Sequence, residues 1–179
     1  TIGIVGLGEI GKAVARRAKG FSMRILYTGR GRKLDAEAEL DAEWRSLDDL
    51  LRESDYVSIN SALNAETRGL IGAREIGLLK PTAIFVNTAR GPIVDQRALY
   101  QALKSGAIYG AGLDVCDPEP MDSVDPLLEM ENVIVLPHNA SAGARTRARM
   151  SELAATNLIE GVSGRRPPHL VNPDVWQRR

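Results

Sequence analysis

The sequence predicts an α/β fold built on a doubly wound parallel sheet, and three observations carry that expectation. Short Val/Ile-rich runs recur along the chain, each bounded by Gly, Pro, Asn or Asp. Segments with helical spacing lie between them, the alternation expected of a parallel sheet with helices on its faces. A glycine-rich turn, Gly6-Leu7-Gly8-Glu9-Ile10-Gly11, follows the first run and opens the first helical segment.

In chain order, strands are expected at Thr1–Val5, Arg24–Tyr27, Tyr56–Ile59, Ala83–Val86, Ile108–Leu113 and Val133–Leu136, with a weaker one near Trp44. Near-continuous apolar runs of this length read as strands buried on both faces. Helical spacing marks Ile10–Lys19, Leu47–Arg52, Ile71–Leu79, Gln96–Lys104 and Ala142–Val162, and Ser46 and Asp95 stand where N-caps belong. From Gly164 to Pro173, two basic residues, three prolines and an Asn end the last helical pattern. The expected organisation is one domain over residues 1–163 and a C-terminal tail over 164–179.

Composition narrows the function classes. The 179 residues are 44% hydrophobic and 26% charged, enough for one substantial core. Lys plus Arg and Asp plus Glu both number 23, so no global field draws the chain to nucleic acid or a membrane surface. No apolar run of about 18 residues offers a membrane span. Cys116 is the lone cysteine, which excludes an internal disulfide and fits a reducing, cytoplasmic setting. With no base beside it, Cys116 reads as a buried thiol rather than a nucleophile. Two histidines and one cysteine give no zinc-ligand spacing, and His169 in the proline-rich tail reads as a surface residue.

The glycine turn is a Gly-x-Gly-x-x-Gly in the strand-to-helix context of a Rossmann-type dinucleotide site. Gly6 permits the tight turn, Gly8 lets backbone approach a pyrophosphate, and Gly11 lets helix and strand pack closely, with the N–H groups of the helix start facing the anion. Glu9 within it repels a pyrophosphate unless its side chain turns to solvent. About 20 residues on, where an NAD site carries an acid for the ribose hydroxyls, stands Thr28, followed by Arg30, Arg32 and Lys33. Such cations suit a 2′-phosphate, so NADP(H) is favoured with NAD(H) as the alternative. The competing reading of these cations is a solvated basic loop.

Arg90, Glu119 and His138 follow three successive late strands, whose carboxyl ends share one crevice in a parallel sheet. An arginine can hold a substrate carboxylate and polarise its ketone. An imidazolium can donate a proton as hydride arrives, and a neighbouring carboxylate stabilises and orients that imidazolium.

The runs Thr88-Ala89-Arg90-Gly91, Gly112-Leu113-Asp114-Val115, Pro118-Glu119-Pro120 and Leu136-Pro137-His138 resemble, in letters and spacing, the signatures of the D-2-hydroxyacid dehydrogenases. Leu26 to Arg30, Ser141-Ala142 and Arg145 to Arg147 are similar to the glyoxylate/hydroxypyruvate reductases among them. The resemblance implies hydride transfer from NADPH to a small 2-oxo acid, giving the 2-hydroxy acid, in a homodimer. It makes Arg90 the substrate-binding arginine, His138 the acid/base and Glu119 its partner. It sets Asp114 near the nicotinamide carboxamide, Thr88 and Ala89 beside the cofactor, and Asn60 to Leu63, including Ser61 and Ala62, along the adenosine side. For those positions, packing or turn formation is the competing reading. With Thr67 retained nearby, Asn64-Ala65 in place of a commoner Thr-Pro is expected to matter little.

Asn139 to Gly143 read Asn-Ala-Ser-Ala-Gly where relatives usually show Ile-Gly-Ser-Ala-Thr, which puts a polar residue beside the base. In the family, sequence before the glycine turn builds most of the substrate domain. That wall is therefore expected to be missing here, with Val171-Asn172-Pro173 as the returning end. Two alternatives remain: a corepressor-like, dinucleotide-sensing protein-binding module, and an NAD-dependent formate or phosphoglycerate dehydrogenase.

Overall fold

A computed structural model describes residues 1–178; Arg179, the last residue of the expected tail, lies outside the described residues. The chain divides into two compact units, one from Thr1 to His138 and one beginning at Asn139.

The first unit is a seven-stranded, all-parallel sheet. Its strands are β1 (Ile2–Val5), β2 (Ile25–Thr28), β3 (Ala42–Trp44), β4 (Tyr56–Ile59), β5 (Ile84–Asn87), β6 (Gly110–Leu113) and β7 (Val133–Val135). They lie in the order β3-β2-β1-β4-β5-β6-β7. The order turns back between β1 and β4, where Ile2 to Val5 pair with Tyr56 to Ile59, and the loops at the carboxyl ends of these strands open into a crevice. Central position explains the composition of β1 and β2: every residue of Ile2–Val5 and of Ile25–Tyr27 is buried. β7 departs from the expectation of burial on both faces. It is an edge strand and Ile134 is 67% exposed, because no helix of the first unit covers that face there.

Helices α1 (Glu9–Gly20), α2 (Leu34–Leu40), α3 (Leu47–Glu53), α4 (Ala73–Ile76) and α5 (Gln96–Lys104) connect the strands. Ser46 and Asp95 cap α3 and α5 as expected, accepting from Asp49 N at 3.2 Å and Ala98 N at 2.9 Å. Each such cap contributes about 0.5–2 kcal/mol. Two cores result. One packs α1 and α2 on β1 to β3 around Ile4, Tyr27 and Leu40; the other gathers Leu50, Leu51, Val57, Phe85, Ile93 and Leu99 beneath α3 to α5.

Two segments differ from the sequence pattern. α2 was not legible as a helix, because its acidic run buries only Ala36 and Leu40. The helix expected at Ile71–Leu79 shrinks to the four residues of α4 between Gly72 and Gly77. Ile71 is extended instead, in a parallel bridge with Val94.

The second unit carries α6 (Ala144–Val162), none of whose residues is buried, and Gly164 at φ +72° follows its end. Asn157 holds the following segment by bonding both the carbonyl and the N–H of His169, and Arg165 pairs with Glu160. No described helix is long and apolar enough to cross a membrane.

Candidate active site

The loops leaving β1, β2 and β4 enclose a cavity of about 570 Å³, lined by Gly6, Leu7, Gly8, Thr28, Arg30, Lys33, Asn60, Ser61, Ala62 and Thr67 among others. Backbone packing explains two of the glycines. Gly6 sits at φ +98°, and a Cβ on Gly11 would lie 2.2 Å from the Gly6 carbonyl oxygen. A Cβ on Gly8 would meet nothing within 4 Å, so the turn leaves open space at the start of α1. Gly8 is the N-cap and supplies no side-chain partner to the first N–H groups, which are available to an anion. Glu9 turns away: its side chain is 90% exposed and pairs with Lys12. Ile10 is also exposed, and neither residue lines the cavity.

Two buried polar atoms at this cavity lack a hydrogen-bond partner, Asn60 Oδ1 and Ser61 Oγ. Buried polar groups are rarely left so, and an open anion-facing turn beside an unpaired amide oxygen and an unpaired hydroxyl fits a dinucleotide. Thr67 braces the far wall by donating to the Ala62 carbonyl at 2.7 Å and accepting from Asn64 N at 2.8 Å. Asn64 Oδ1 in turn accepts from the N–H groups of Glu66 and Thr67.

The basic loop after β2 divides. Thr28, Arg30 and Lys33 line the cavity, and Lys33 Nζ donates to the Leu7 carbonyl at 2.7 Å. Arg32 does not line it and instead bonds Glu37 through Nε at 3.1 Å and Nη2 at 2.5 Å. Glu37 also accepts from the Tyr27 hydroxyl at 2.5 Å. Arg32 foremost, then Tyr27, holds the Glu37 carboxyl down at about 2. Burial, then Glu37, pushes the Tyr27 hydroxyl up.

A second cavity of about 540 Å³ lies past the ends of β6 and β7, lined by Asp114, Cys116, Glu119, Met121, Leu136 and His138 among others. Here Glu119 Oε1 meets His138 Nδ1, with both side chains part-exposed at the opening. His138 holds φ +52°, a left-handed conformation that a non-glycine residue seldom takes. Asp114 is buried and anchored by its N–H to the Asn87 carbonyl. Burial, then Glu119, pushes the Cys116 thiol up, so the thiolate is disfavoured.

Arg90 follows β5 on an extended backbone and its Nη1 donates to the Ala89 carbonyl at 2.6 Å. It does not line the cavity that Glu119 and His138 share. Thr88 lines a different hollow, beside Tyr56, Ser58 and Val86, while Ala89 packs against the larger core. Asn87 is a residue the motifs passed over. Buried at the end of β5, it bonds the Arg90 carbonyl through Nδ2 and the Ala89 N–H through Oδ1, each at 3.0 Å, and so shapes the arginine loop. Its signal was a polar residue closing an apolar strand. No group of three metal-ligating side chains occurs among the described residues.

Residues 1–140 match the family described as D-isomer specific 2-hydroxyacid dehydrogenase, NAD binding domain. The chain is 55% identical over its whole length to a protein of Korarchaeum cryptofilum named glyoxylate reductase, covering 54% of it. It is 53% identical, again over its whole length, to a glyoxylate reductase of Aeropyrum pernix, covering 53%. Among solved structures, a glyoxylate reductase from Paecilomyes thermophila matches with a TM-score of 0.83 at 40% identity, over 90% of this chain and 48% of that one. A D-lactate dehydrogenase with NAD+ from Lactobacillus jensenii matches with a TM-score of 0.87 at 31% identity, over 95% of this chain and 55% of that one. The chain thus spans about half the length of these relatives.

Proposed function

Because the chain belongs to the D-isomer specific 2-hydroxyacid dehydrogenases, as their nicotinamide-dinucleotide-binding domain, we propose that it serves a reductase of small 2-oxo acids such as glyoxylate or hydroxypyruvate. The observation that carries the reading is the Glu119–His138 pair at the mouth of a cavity past the strand ends. Bound along the glycine turn, the dinucleotide supplies the hydride. The residues of this chain do the rest. His138 donates the proton that the ketone oxygen needs as it becomes an alkoxide, and Glu119 stabilises the imidazolium and fixes the ring. Arg90 binds the substrate carboxylate through guanidinium N–H donors beyond the one that Nη1 gives to the Ala89 carbonyl. Asp114, in the same lining, would face the nicotinamide, and Thr88 and Ala89 belong to the loop that carries Arg90.

We further propose NADP(H) as the preferred cofactor, with NAD(H) the weaker ligand. Thr28 in place of an acid, with Arg30 and Lys33 in the cavity lining, supports that preference. The homodimer and the cytoplasmic setting belong to the same proposal and rest on the family resemblance and on the lone buried Cys116. The glyoxylate reductase names of the relatives favour an enzyme over the corepressor-like alternative.

The test is NADPH oxidation with saturating glyoxylate and hydroxypyruvate, run on this chain beside a longer protein containing it. Hydride transfer needs the 2-oxo acid at roughly 3–3.5 Å in a cleft closed to water. The expected result is dinucleotide binding by both and turnover only by the longer protein. Equal turnover by the 179-residue chain would overturn the account of where the substrate sits.

A further inference from the structure

The Tyr27 ring is fully buried in β2, and its hydroxyl emerges at the strand end against the basic loop. It donates to Glu37 at 2.5 Å and accepts from the Lys33 N–H at 2.7 Å. A hydroxyl on a buried ring takes whatever partners its strand offers, and both of these act on residues 29–33. Glu37, in the first turn of α2, is the second fixed point. Its carboxylate grips Arg32 with two bonds while its side chain is only 13% exposed. The loop is thus tied from beneath at Lys33 and from the side at Arg32. Between those ties Arg30 and Lys33 line the cavity, while Arg32, 62% exposed, points elsewhere.

We infer that Tyr27 and Glu37 are positioning residues for cofactor selectivity: they hold the loop so that Arg30 serves a 2′-phosphate, Lys33 steadies the glycine turn and Arg32 serves as the loop's anchor. The inference rests on the NADP(H) reading above and assigns its residues. The two cations differ in what they touch. Lys33 is already bonded to the glycine turn through Leu7, so it steadies any dinucleotide. Arg30 is exposed beside the cavity and has a free choice of partner, so it responds to the extra phosphate alone. A guanidinium held in a two-pronged carboxylate pair has its charge matched and its orientation fixed, so it adds little to a phosphate site nearby.

The experiment titrates NADPH and NADH into the full-length protein and reads the ratio of the two dissociation constants, with the melting temperature of each variant measured alongside. Arg30→Ala is expected to lower the ratio about tenfold or more, the scale of a charge-assisted hydrogen bond. Arg32→Ala is expected to change it less than about threefold. Tyr27→Phe and Glu37→Gln are each expected to lower it about three- to tenfold by loosening one loop, and the double variant no further than the larger single one. General loosening of the fold would weaken both nucleotides and leave the ratio where it was. A ratio unmoved in both Tyr27→Phe and Glu37→Gln overturns the inference, as does an Arg32→Ala loss equal to that of Arg30→Ala. A gain of NADPH affinity in Glu37→Gln also overturns it, since Arg32 would then be a withheld ligand and not an anchor. Absence of any NADPH preference in the wild type is a separate outcome that brings down the cofactor reading itself.

Discussion

Glu119 and His138 stand 19 residues apart in sequence and meet through Oε1 and Nδ1 on the loops after β6 and β7. The carboxylate engages Nδ1, so in the proposed mechanism Nε2 is the proton-donating end. In the longer protein, His138→Ala is expected to lower kcat for 2-oxo acid reduction at least about 100-fold. Glu119→Gln removes the carboxylate that orients the ring, so kcat/KM should fall about tenfold or more across the pH range. A kcat/KM profile identical to wild type in Glu119→Gln would take Glu119 out of the mechanism.

Arg30 offers the simplest cofactor test. Arg30→Ala should weaken NADPH by about 1–3 kcal/mol while leaving NADH nearly unchanged. Fluorescence titration of both nucleotides decides it, and equal losses for the two would refute a role for Arg30 at the 2′-position.

Acid stability follows from two carboxylates. Glu37 and Glu43 are both held at about 2, below the ordinary 4.5, by their arginines: Arg32 first for Glu37, Arg24 first for Glu43. Because the folded-state value is depressed, their stabilising effect is complete above pH 4.5 and is lost as the pH falls toward 2. Melting temperature against pH should therefore fall less steeply over that window in Glu37→Gln and Glu43→Gln. Parallel curves would show that these ion pairs do not stabilise the fold.

Phe85, fully buried in β5, tests the larger core. Phe85→Ala should cost about 3–5 kcal/mol in urea unfolding, since neighbours on a packed sheet cannot close the cavity. A loss under about 1 kcal/mol would mean that the sheet repacks.

Cys116 should resist thiol reagents at neutral pH in the native protein and react readily after denaturation, because burial both blocks it and disfavours its thiolate. Equal native and denatured rates would contradict its buried position.

Most of the sheet was legible because parallel strands buried on two faces leave dense Val/Ile runs, and the glycine turn because close backbone packing admits few residues. Edges and short elements were less so. α2 shows two buried positions, too few for a periodic signal, and α4 is a single turn between glycines. At the site, the adjacency of Glu119 and His138 could be foreseen from strand ends alone. That Arg32 turns to Glu37 could not, because Glu37 lies on the helix the pattern missed. Thr88 followed a similar logic: alternation along β5 carried it to another hollow, and no spacing rule reports on which side a loop residue lands.

The bond from Lys33 Nζ to the Leu7 carbonyl spans 26 residues and ties the basic loop after β2 to the glycine turn. Under the proposed reading, the two ends of the adenosine diphosphate site are therefore joined before any nucleotide arrives. A fragment bearing only one of the phosphate groups meets a site already shaped for both, and joining two fragments gains affinity through a shared rigid frame. Cutting that tie, as in Lys33→Met, would leave two separately floppy half-sites. The dinucleotide would then have to organise them itself, so the loss would exceed what its separate halves suffer.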